Sequence, residues 1–472
     1  MSDSYQENIN IFIVSMVVII ILSWAFYHYG FRHEIGIYEY IRKVEAQIEA
    51  KKYKDAMQVL AKAFKEAPSG ENVRKVLLQE YVKCSRGMND SGDLDAAIEC
   101  LLKASSLDPK DLLVMNDLAI LLISKAARLA KDKDYVLAMN RVKKAVDIAM
   151  RSKKARKNVS IYLFNKAAEA YAKNDPRTVY IFANISYSLW PRVETIKMLA
   201  YHFYKESDLE KARFYWEKAV HAAPDDTDAR SEFEKVTREL AMRDKMDEIE
   251  MGYFKVGLFK EYDIDKDVLS SLLVDIYKRV GNDLGIYLPK GTSITFYTED
   301  DFRTVFDQKG IVRGFYDGSG IKMVFIPDIN DPMFKAVIAH EYTHAVVSYM
   351  TDNNCPPWFN EAMAVFEQKV YAPYPPGHVK AFSDSGGKLS VALLEKGFAQ
   401  MEDLGLVGLS YEGAYTAVAF ITERWGWSSV RKILERMKGR EHIANIVDEE
   451  FYLSLPVFES MWNEYVREEY LK

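Results

Sequence analysis

The sequence predicts a transmembrane helix, then an all-α solenoid of helical repeats, then an α+β domain. Three observations support this prediction: an apolar stretch near the start, a helical pattern that recurs every 33 to 41 residues, and strand-like segments that precede a long helix in the C-terminal half. A chain of 472 residues is also too long for one ordinary core. We therefore predict an anchor at residues 1–30, repeats at 31–250 and an α+β domain at 251–472.

The composition is typical of a globular protein, with 49% hydrophobic and 28% charged residues. A formal net charge of -6 and the lack of a basic cluster give no reason to expect a nucleic-acid partner. The three cysteines, Cys84, Cys100 and Cys355, are too few and too scattered to indicate a disulfide framework.

Residues 9–29 form an apolar stretch of about twenty residues, which is enough to cross the hydrocarbon core of a bilayer. Residues 1–8 contain no Lys or Arg, and no Ala-x-Ala site follows, so a membrane anchor is favoured over a cleaved signal peptide. Arg32, Arg42 and Lys43 follow the stretch, and this asymmetry favours a cytoplasmic location for the bulk of the chain. We therefore expect one N-terminal helix to hold the protein in the cell membrane.

Five similar helical segments mark the repeat region. They end at Pro68, Pro109, Met150, Pro191 and Pro224. The segment 208–224 resembles the second helix of a tetratricopeptide repeat through its small Ala, its mid-helix aromatic residues and its closing Ala-Pro, and 94–109 is similar. A stacked array of such repeats usually binds a peptide or a partner protein on its concave face. A stiff spacer that holds the next domain off the membrane is the alternative.

The most specific motif in the chain is His340-Glu341-Tyr342-Thr343-His344. Residues four apart lie on one face of a helix, so the two His side chains can offer nitrogen ligands to one zinc ion, with Glu341 beside them. An Asp-Pro pair precedes a run without glycine or proline up to residue 350, as expected of a capped helix. Zinc is therefore the predicted cofactor.

Glu361 is the predicted third zinc ligand. The turn-forming residues 351–357 end the first helix, and a second helix then begins at Trp358, so its first turn returns to the middle of the first helix. The other candidates for this ligand are Glu367, Asp352 and His378. Three protein ligands would leave a fourth position for water, as in catalytic zinc sites.

The zinc motif and the stretch 357–364 together resemble the gluzincin peptidases, specifically the peptidase MA-like bacterial family. Ala362 stands where that family usually has Gly. Val365 stands where some gluzincins have an acid that orients a His ligand, so the orienting residue is unassigned. The resemblance implies that residues 251–472 form an α+β gluzincin-type zinc peptidase domain acting on a peptide or protein substrate.

The segments around the zinc helix also fit this resemblance. The sequence predicts a strand at 291–297, a short helix at 299–306 and a pair of strands joined by a turn at 314–320. We expect the strand at 321–326 to be the sheet edge that pairs with substrate, with a place in the sheet core as the alternative. A Tyr hydroxyl often stabilises the oxyanion in zinc peptidases, and Tyr415 fits this role best, with Tyr411 or a purely structural tyrosine as alternatives.

These observations predict a membrane-anchored zinc peptidase in which Glu341 acts as general base on zinc-bound water. Membrane-anchored relatives often face outward, which conflicts with the charge asymmetry around the anchor, so the orientation stays open. The alternative function is a repeat-based scaffold that keeps the zinc domain without cleaving. The intact set of His340, Glu341, His344 and Glu361 disfavours that alternative.

Overall fold

The fold was analysed in a computed structural model that describes residues 16–24, 38–66, 70–132, 134–262, 264–306, 313–400 and 402–471. The chain forms two compact units, Met1–Thr195 and Ile196–Lys472. Residues 196–250, the end of the predicted repeat region, thus lie in the same compact unit as the predicted α+β domain.

The predicted anchor at 9–29 lies mostly outside the described residues. Within it, residues 16–24 are helical and their apolar side chains are exposed. In the part of the chain that the structure describes, one helix, Leu404–Trp425, is long and apolar enough to span a membrane, and 61% of its apolar window is buried. A buried core helix satisfies the same criteria, so this helix is no evidence of a membrane span. The N-terminal membrane anchor stays a prediction.

The first unit is helical throughout its described length. After a helical segment at 38–49, its helices are α1 (Tyr53–Glu66), α2 (Glu71–Asp90), α3 (Leu94–Leu107), α4 (Leu112–Lys131), α5 (Tyr135–Ala149), α6 (Lys153–Tyr171) and α7 (Pro176–Leu189), and α8 (Val193–Lys205) begins at its end. The helices pack in consecutive pairs, α2 with α3, α4 with α5, and α6 with α7. The predicted repeat segments of this unit correspond to α1, α3, α5 and α7.

A recurring aspartate cap explains where many of these helices begin. The side chain of the residue before the helix accepts a hydrogen bond from a backbone N–H of the first turn, which satisfies a donor that has no partner within the helix. The capping residues are Asp93, Asp111, Asp134, Asp175, Asp208 and Asp226. Small buried alanines, such as Ala97, Ala104 and Ala126, then allow paired helices to approach closely.

The second unit combines helices with a five-stranded sheet. After α8 it contains α9 (Leu209–Ala222), α10 (Thr227–Arg243), β1 (Met246–Met251), β2 (Phe254–Phe259), α11 (Lys266–Leu284), β3 (Thr292–Tyr297), α12 (Glu299–Phe306), β4 (Gly314–Tyr316), β5 (Ile321–Val324), α13 (Pro332–Thr351), α14 (Pro357–Tyr371), α15 (Gly377–Asp384), α16 (Val391–Ala399), α17 (Leu404–Trp425), α18 (Trp427–Lys438), α19 (Ile443–Phe451) and α20 (Leu455–Tyr470). Helices therefore surround a small mixed sheet, as the α+β prediction requires.

The strand order of the sheet is β1-β2-β3-β5-β4. β2, β3 and β5 are parallel, whereas β1 and β4 run antiparallel to their neighbours. The expectation that residues 321–326 form the edge strand is wrong, because β5 pairs on both sides, with β3 and with β4. The edge next to β5 is the short strand β4.

Helices cover both faces of the sheet. On one face, α11 and α13 share a core with the strands, in which Val256, Ile294 and Met323 pack with Leu273 and Ile338. On the other face, a smaller cluster joins Met246, Phe259 and Tyr297 of the strands to Phe302 and Val305 of α12, and α10 packs against α12. The central strands β2 and β5 are therefore largely buried and rich in apolar residues, whereas β1 is partly exposed and alternates with acidic residues.

A buried polar network joins α8 and α10 to the turn between β4 and β5. The Tyr204 hydroxyl lies 3.0 Å from Glu239 Oε2 and 2.8 Å from Asp317 Oδ2, and Lys322 Nζ bonds to Glu239 Oε1 at 2.5 Å. Burial acts to lower the pKa of Lys322, but its interactions with Glu239, Tyr297 and Asp317 together outweigh burial and raise that pKa. The network therefore contains a charged ion pair at the interface between the helices and the hairpin.

We predict that a fragment of residues 193–472 folds, whereas a fragment of residues 252–472 is unstable. The shorter fragment lacks β1 and α10, so the apolar cluster around Phe259 is uncovered and Lys322 loses its buried partner. Breaking a buried ion pair typically costs about 3–5 kcal/mol. Circular dichroism, size-exclusion chromatography and thermal melting of the two fragments measure the difference, and equal melting temperatures would contradict the prediction.

Candidate metal centre

Helix α13 places the two histidines of the zinc motif on one face. It begins after Asp331, whose side chain accepts the Met333 N–H at 2.8 Å, and it continues for 20 residues. Its buried positions include Ile338, Tyr342 and Val346, which fix the rotation of the helix against the core. His340 and His344 are then half-buried at the boundary between the core and an open cleft.

The link between α13 and α14 brings Glu361 to the histidines. Asp352 and Asn353 both adopt left-handed backbone conformations and reverse the chain, and α14 begins at Pro357. Trp358 and Phe359, both buried in the core, hold the first turn of α14 against α13. Glu361 therefore lies one turn into α14, facing the middle of α13.

Three side-chain atoms converge at this place. Glu361 Oε2 lies 3.5 Å from His340 Nε2 and 3.6 Å from His344 Nε2, and the two nitrogens are 3.1 Å apart. The three groups offer ligand atoms that all lie within 4.8 Å of one another. This is the donor set of two imidazoles and one carboxylate that binds catalytic zinc.

The hydrogen bonding of these groups fits a bound cation. Glu361 Oε2 is buried and has no hydrogen-bond partner among the described residues. The two imidazole nitrogens face each other, although a neutral imidazole donates from only one of its nitrogens. A divalent cation accepts a lone pair from all three atoms, so the residues present fit a zinc ion.

Asn360 supplies an orienting contact that the sequence analysis did not assign. Its Oδ1 lies 3.1 Å from His344 Nδ1, so it can accept the Nδ1–H and leave Nε2 as the free lone pair. The Nδ1 atom of His340 is buried without a hydrogen bond, although the side chain of Gln368 lies close enough to influence the pKa of His340. The sequence feature that could have indicated Asn360 is its position immediately before the predicted ligand Glu361.

Glu341 lies beside the histidines and under the edge strand. It is buried, with 6% of its surface exposed, and it lines the cleft. Burial raises the pKa of its carboxyl, while the neighbouring histidines and the Tyr316 N–H act in the opposite direction. A carboxylate in this position can accept a proton from a water molecule in the cleft.

The cleft has a volume of about 500 Å³ and brings the predicted metal ligands and Glu341 together. Its lining includes Lys205, Gly314, Tyr316, Ser348, Asn353, Asn360 and Tyr411. The volume lies within the range of small substrate-binding pockets. The cleft is thus large enough for a short length of extended peptide.

The structure does not bring Tyr415 to this cleft. The Tyr415 ring packs near Phe366 and Tyr470, and Lys369 Nζ lies 4.0 Å from the centre of the ring. Tyr411, one helical turn earlier on α17, lines the cleft instead. The rotation of α17 directs Tyr415 toward a different cluster, so of the two predicted tyrosines it is Tyr411 that the cleft contains.

The other candidates for the third ligand have partners elsewhere. His378 Nδ1 lies 2.9 Å from Glu412 Oε1, and Asp352 pairs with Lys438 at 3.2 Å. Glu367 is completely buried 3.5 Å from Arg279 Nε. None of the three candidates lines the cleft in the described part of the chain.

β4 exposes an unpaired edge to the cleft. In an antiparallel ladder, residues that bond to the neighbouring strand alternate with residues whose backbone groups point away. The Asp317 N–H donates to the Gly320 carbonyl at 3.2 Å, which sets this alternation, so the N–H and C=O of Gly314 and Tyr316 point away from β5. These groups face the side on which Glu341 lies.

Gly314 permits the close approach of β4 to the zinc helix. A Cβ atom at this position would lie 3.1 Å from Glu341 Cγ and 3.1 Å from Met323 Cβ. A larger residue would therefore push the edge strand away from Glu341.

Comparison with known proteins supports a peptidase-like domain. Residues 280–468 match the family model described as the peptidase MA superfamily. The C-terminal part of the chain is therefore a peptidase MA-like domain, which contains the zinc motif and Glu361. No curated protein matches the chain.

One solved structure that matches is the crystal structure of the P58(IPK) TPR domain. It is 10% identical, and the match covers 86% of this chain and 99% of that chain, with a TM-score of 0.19. A TM-score this low gives no support for a shared fold, so the tetratricopeptide assignment still rests on the sequence pattern.

We predict that Glu361→Gln lowers zinc affinity by about tenfold or more, whereas Glu367→Gln on the same helix leaves it unchanged. The first change removes a charged ligand atom. The second replaces a carboxyl whose pKa is raised by burial and by Asp283, so that the protonated form is already favoured. The zinc content of each variant after dialysis against a graded series of chelators measures its zinc affinity. A zinc content in Glu361→Gln equal to that of the parent would mean that the third ligand is another residue.

Proposed function

We propose that this protein is a membrane-anchored, zinc-dependent peptidase that hydrolyses peptide bonds. The observation on which this rests is the convergence of His340, His344 and Glu361 beside Glu341, in a cleft that also has an unpaired strand edge. The match of residues 280–468 to the peptidase MA superfamily supports the same reaction class.

His340, His344 and Glu361 would hold the zinc ion. Bound there, zinc would act as a Lewis acid on the scissile carbonyl and lower the pKa of a water molecule. Asn360 would keep His344 in the tautomer that presents Nε2 to the metal. Glu341 would take the proton from the attacking water and deliver it to the nitrogen of the departing amine.

β4 would bind the substrate as an added strand. The backbone groups of Gly314 and the C=O of Tyr316 point away from β5 and can bond to an extended peptide, whereas the Tyr316 N–H interacts with Glu341. Main-chain bonding of this kind positions a peptide bond without selecting its side chains. The edge strand in this role is therefore β4 rather than residues 321–326.

Tyr411 would donate a hydrogen bond from its hydroxyl to the oxyanion that forms when water attacks the carbonyl. It lines the cleft, and its ring packs edge-on against Phe398 at a centroid distance of 5.0 Å. Burial and the charges of Glu361 and Glu341 raise the pKa of Tyr411, so the hydroxyl stays protonated and can donate this hydrogen bond.

The helical repeats would recruit the substrate or a partner protein, and the apolar segment at 9–29 would anchor the protein in the membrane. The start of α5 supports recruitment because three apolar side chains in its first two turns are exposed, with Val136 75%, Leu137 48% and Met139 49% accessible.

We predict that Glu341→Gln retains zinc but loses peptidase activity by about a hundred- to ten-thousandfold, because residue 341 is a base and not a ligand. The assay measures zinc content and the turnover of an unfolded protein substrate in the same preparation. A fully metal-loaded variant with parental turnover would refute this mechanism. Cleavage by neither protein would favour the alternative in which the domain acts only as a scaffold.

We predict that Tyr411→Phe lowers kcat by about a hundredfold with little change in KM, because the lost hydroxyl acts only in the transition state. Tyr415→Phe is the matched control on the same helix, one turn away, and should behave like the parent. Steady-state kinetics on one peptide give both values. If the Tyr415 variant shows the larger loss of kcat, the assignment is reversed.

A further inference from the structure

A lysine from outside the peptidase-like region contributes to the cleft. Lys205 is the last residue of α8, which lies in the segment predicted to be repeats, yet it lines the same cleft as His340 and Glu341. Among the described residues that line the cleft, no other is a Lys or an Arg. The positive side chain in the cleft therefore comes from a helix that contributes none of the proposed metal ligands.

The ammonium group of Lys205 has free bonding capacity. It donates one hydrogen bond, to the backbone carbonyl of Asp317, and makes no ion pair with any residue in the described part of the second unit. An ammonium group has three N–H donors, so two are available for a ligand. Nearby lysines are already paired with acids: Lys211 with Asp208, Lys235 with Glu232, and Lys322 with Glu239.

The backbone and the buried network fix the position of this lysine. Gly318 has φ +84°, and a Cβ atom there would collide with the Lys205 side chain, which lies over the glycine with Cε 3.2 Å from that position. The preceding residue, Tyr204, is held by Glu239 and Asp317. Lys205 is therefore held at the C-terminal end of β4, beside the proposed substrate strand.

The charges of the cleft favour an anionic group at this end. The two carboxylates of Glu341 and Glu361 would balance a divalent cation, so the metal centre itself would not repel a substrate carboxylate. The carboxylate of Asp317 lies near enough to attract the ammonium group of Lys205, but its hydrogen bonds come from Tyr204, Ser319 and Gly320. The unpaired charge of Lys205 is thus available to a ligand.

We propose that Lys205 is a specificity-determining residue that binds a carboxylate of the substrate, at the end of the cleft formed by β4. The carboxylate can belong to an Asp or Glu side chain or to the C-terminus of the peptide. This proposal rests on the proposed peptidase function and adds its substrate preference.

The test uses the full chain, loaded with zinc and solubilised in detergent. Its substrates are decapeptides that share one sequence composed of alanine, serine and leucine. Each decapeptide has Glu or Gln at one position in turn, with a free or amidated C-terminus. The ratio of kcat/KM between the Glu and Gln members of a pair measures recognition of a side chain. The ratio between the free and amidated members measures recognition of the terminus.

We expect the parent to prefer the acidic member of at least one pair by about tenfold, mainly through KM. Lys205→Met keeps the apolar stem and should bring that ratio to about one, whereas Lys205→Arg should retain most of it. Lys205→Glu should favour a Lys-containing peptide over a Glu-containing one. Lys235→Met removes an equal charge close to Lys205 and should keep the parental ratio.

An unchanged ratio in Lys205→Met overturns the proposal, as does an equal loss in Lys235→Met, which would indicate a general effect of charge. Binding of the same peptides to Glu341→Gln, with and without Lys205→Met, separates this proposal from the peptidase function. Binding that depends on Lys205, without cleavage by the parent, would refute only the peptidase function. Cleavage that ignores the carboxylate would refute only the role of Lys205.

Discussion

The packing of α14 against α13 is the constraint on which the candidate metal centre depends. A helix with histidines four residues apart offers two ligands, but the third has to arrive from another element. The left-handed residues Asp352 and Asn353 reverse the chain, and the buried Trp358 and Phe359 then fix the first turn of α14. Because these contacts are apolar and close-packed, the approach of Glu361 does not depend on attraction between the ligands themselves.

The edge strand β4 of the sheet also borders the candidate metal centre. The close contact of β4 with Glu341 is possible because residue 314 is a glycine, and the backbone groups of the edge face the cleft. An edge strand is normally protected against pairing, since its free N–H and C=O groups invite another strand. Here the edge is short and borders the metal centre, so the exposed groups are explained by substrate binding under the proposed function.

The boundary between the two compact units assigns the last part of the predicted repeat region to the same unit as the α+β domain. α8, α9 and α10 belong to the second unit, and Tyr204 and Glu239 bind the hairpin that contains β4. A purely modular view would treat these helices as the end of a solenoid. The buried ion pair of Lys322 and Glu239 makes them part of the support of the cleft, because each charge would be strongly destabilised without the other.

Much of the candidate site followed from local sequence. The spacing of His340 and His344 is set by the helical period, and the turn at 351–357 predicts that α14 returns along α13, so the sequence predicts Glu361 as the third ligand. The helical character of the repeat segments and the strands at 292–297 and 321–324 also followed from periodicity. These features depend on residues close in sequence, for which backbone geometry alone determines the arrangement.

Only the tertiary structure decided the features that depend on distant residues. It showed that β4 rather than β5 is the edge, because strand order is set by long-range pairing and not by the strand's own pattern. It directed Tyr411 and not Tyr415 to the cleft, because the rotation of α17 depends on the core around it. It also brought Lys205 to a site more than a hundred residues away in sequence. The sequence by itself thus determined which residues could bind the metal, and the packing of distant elements decided which other residues accompany them.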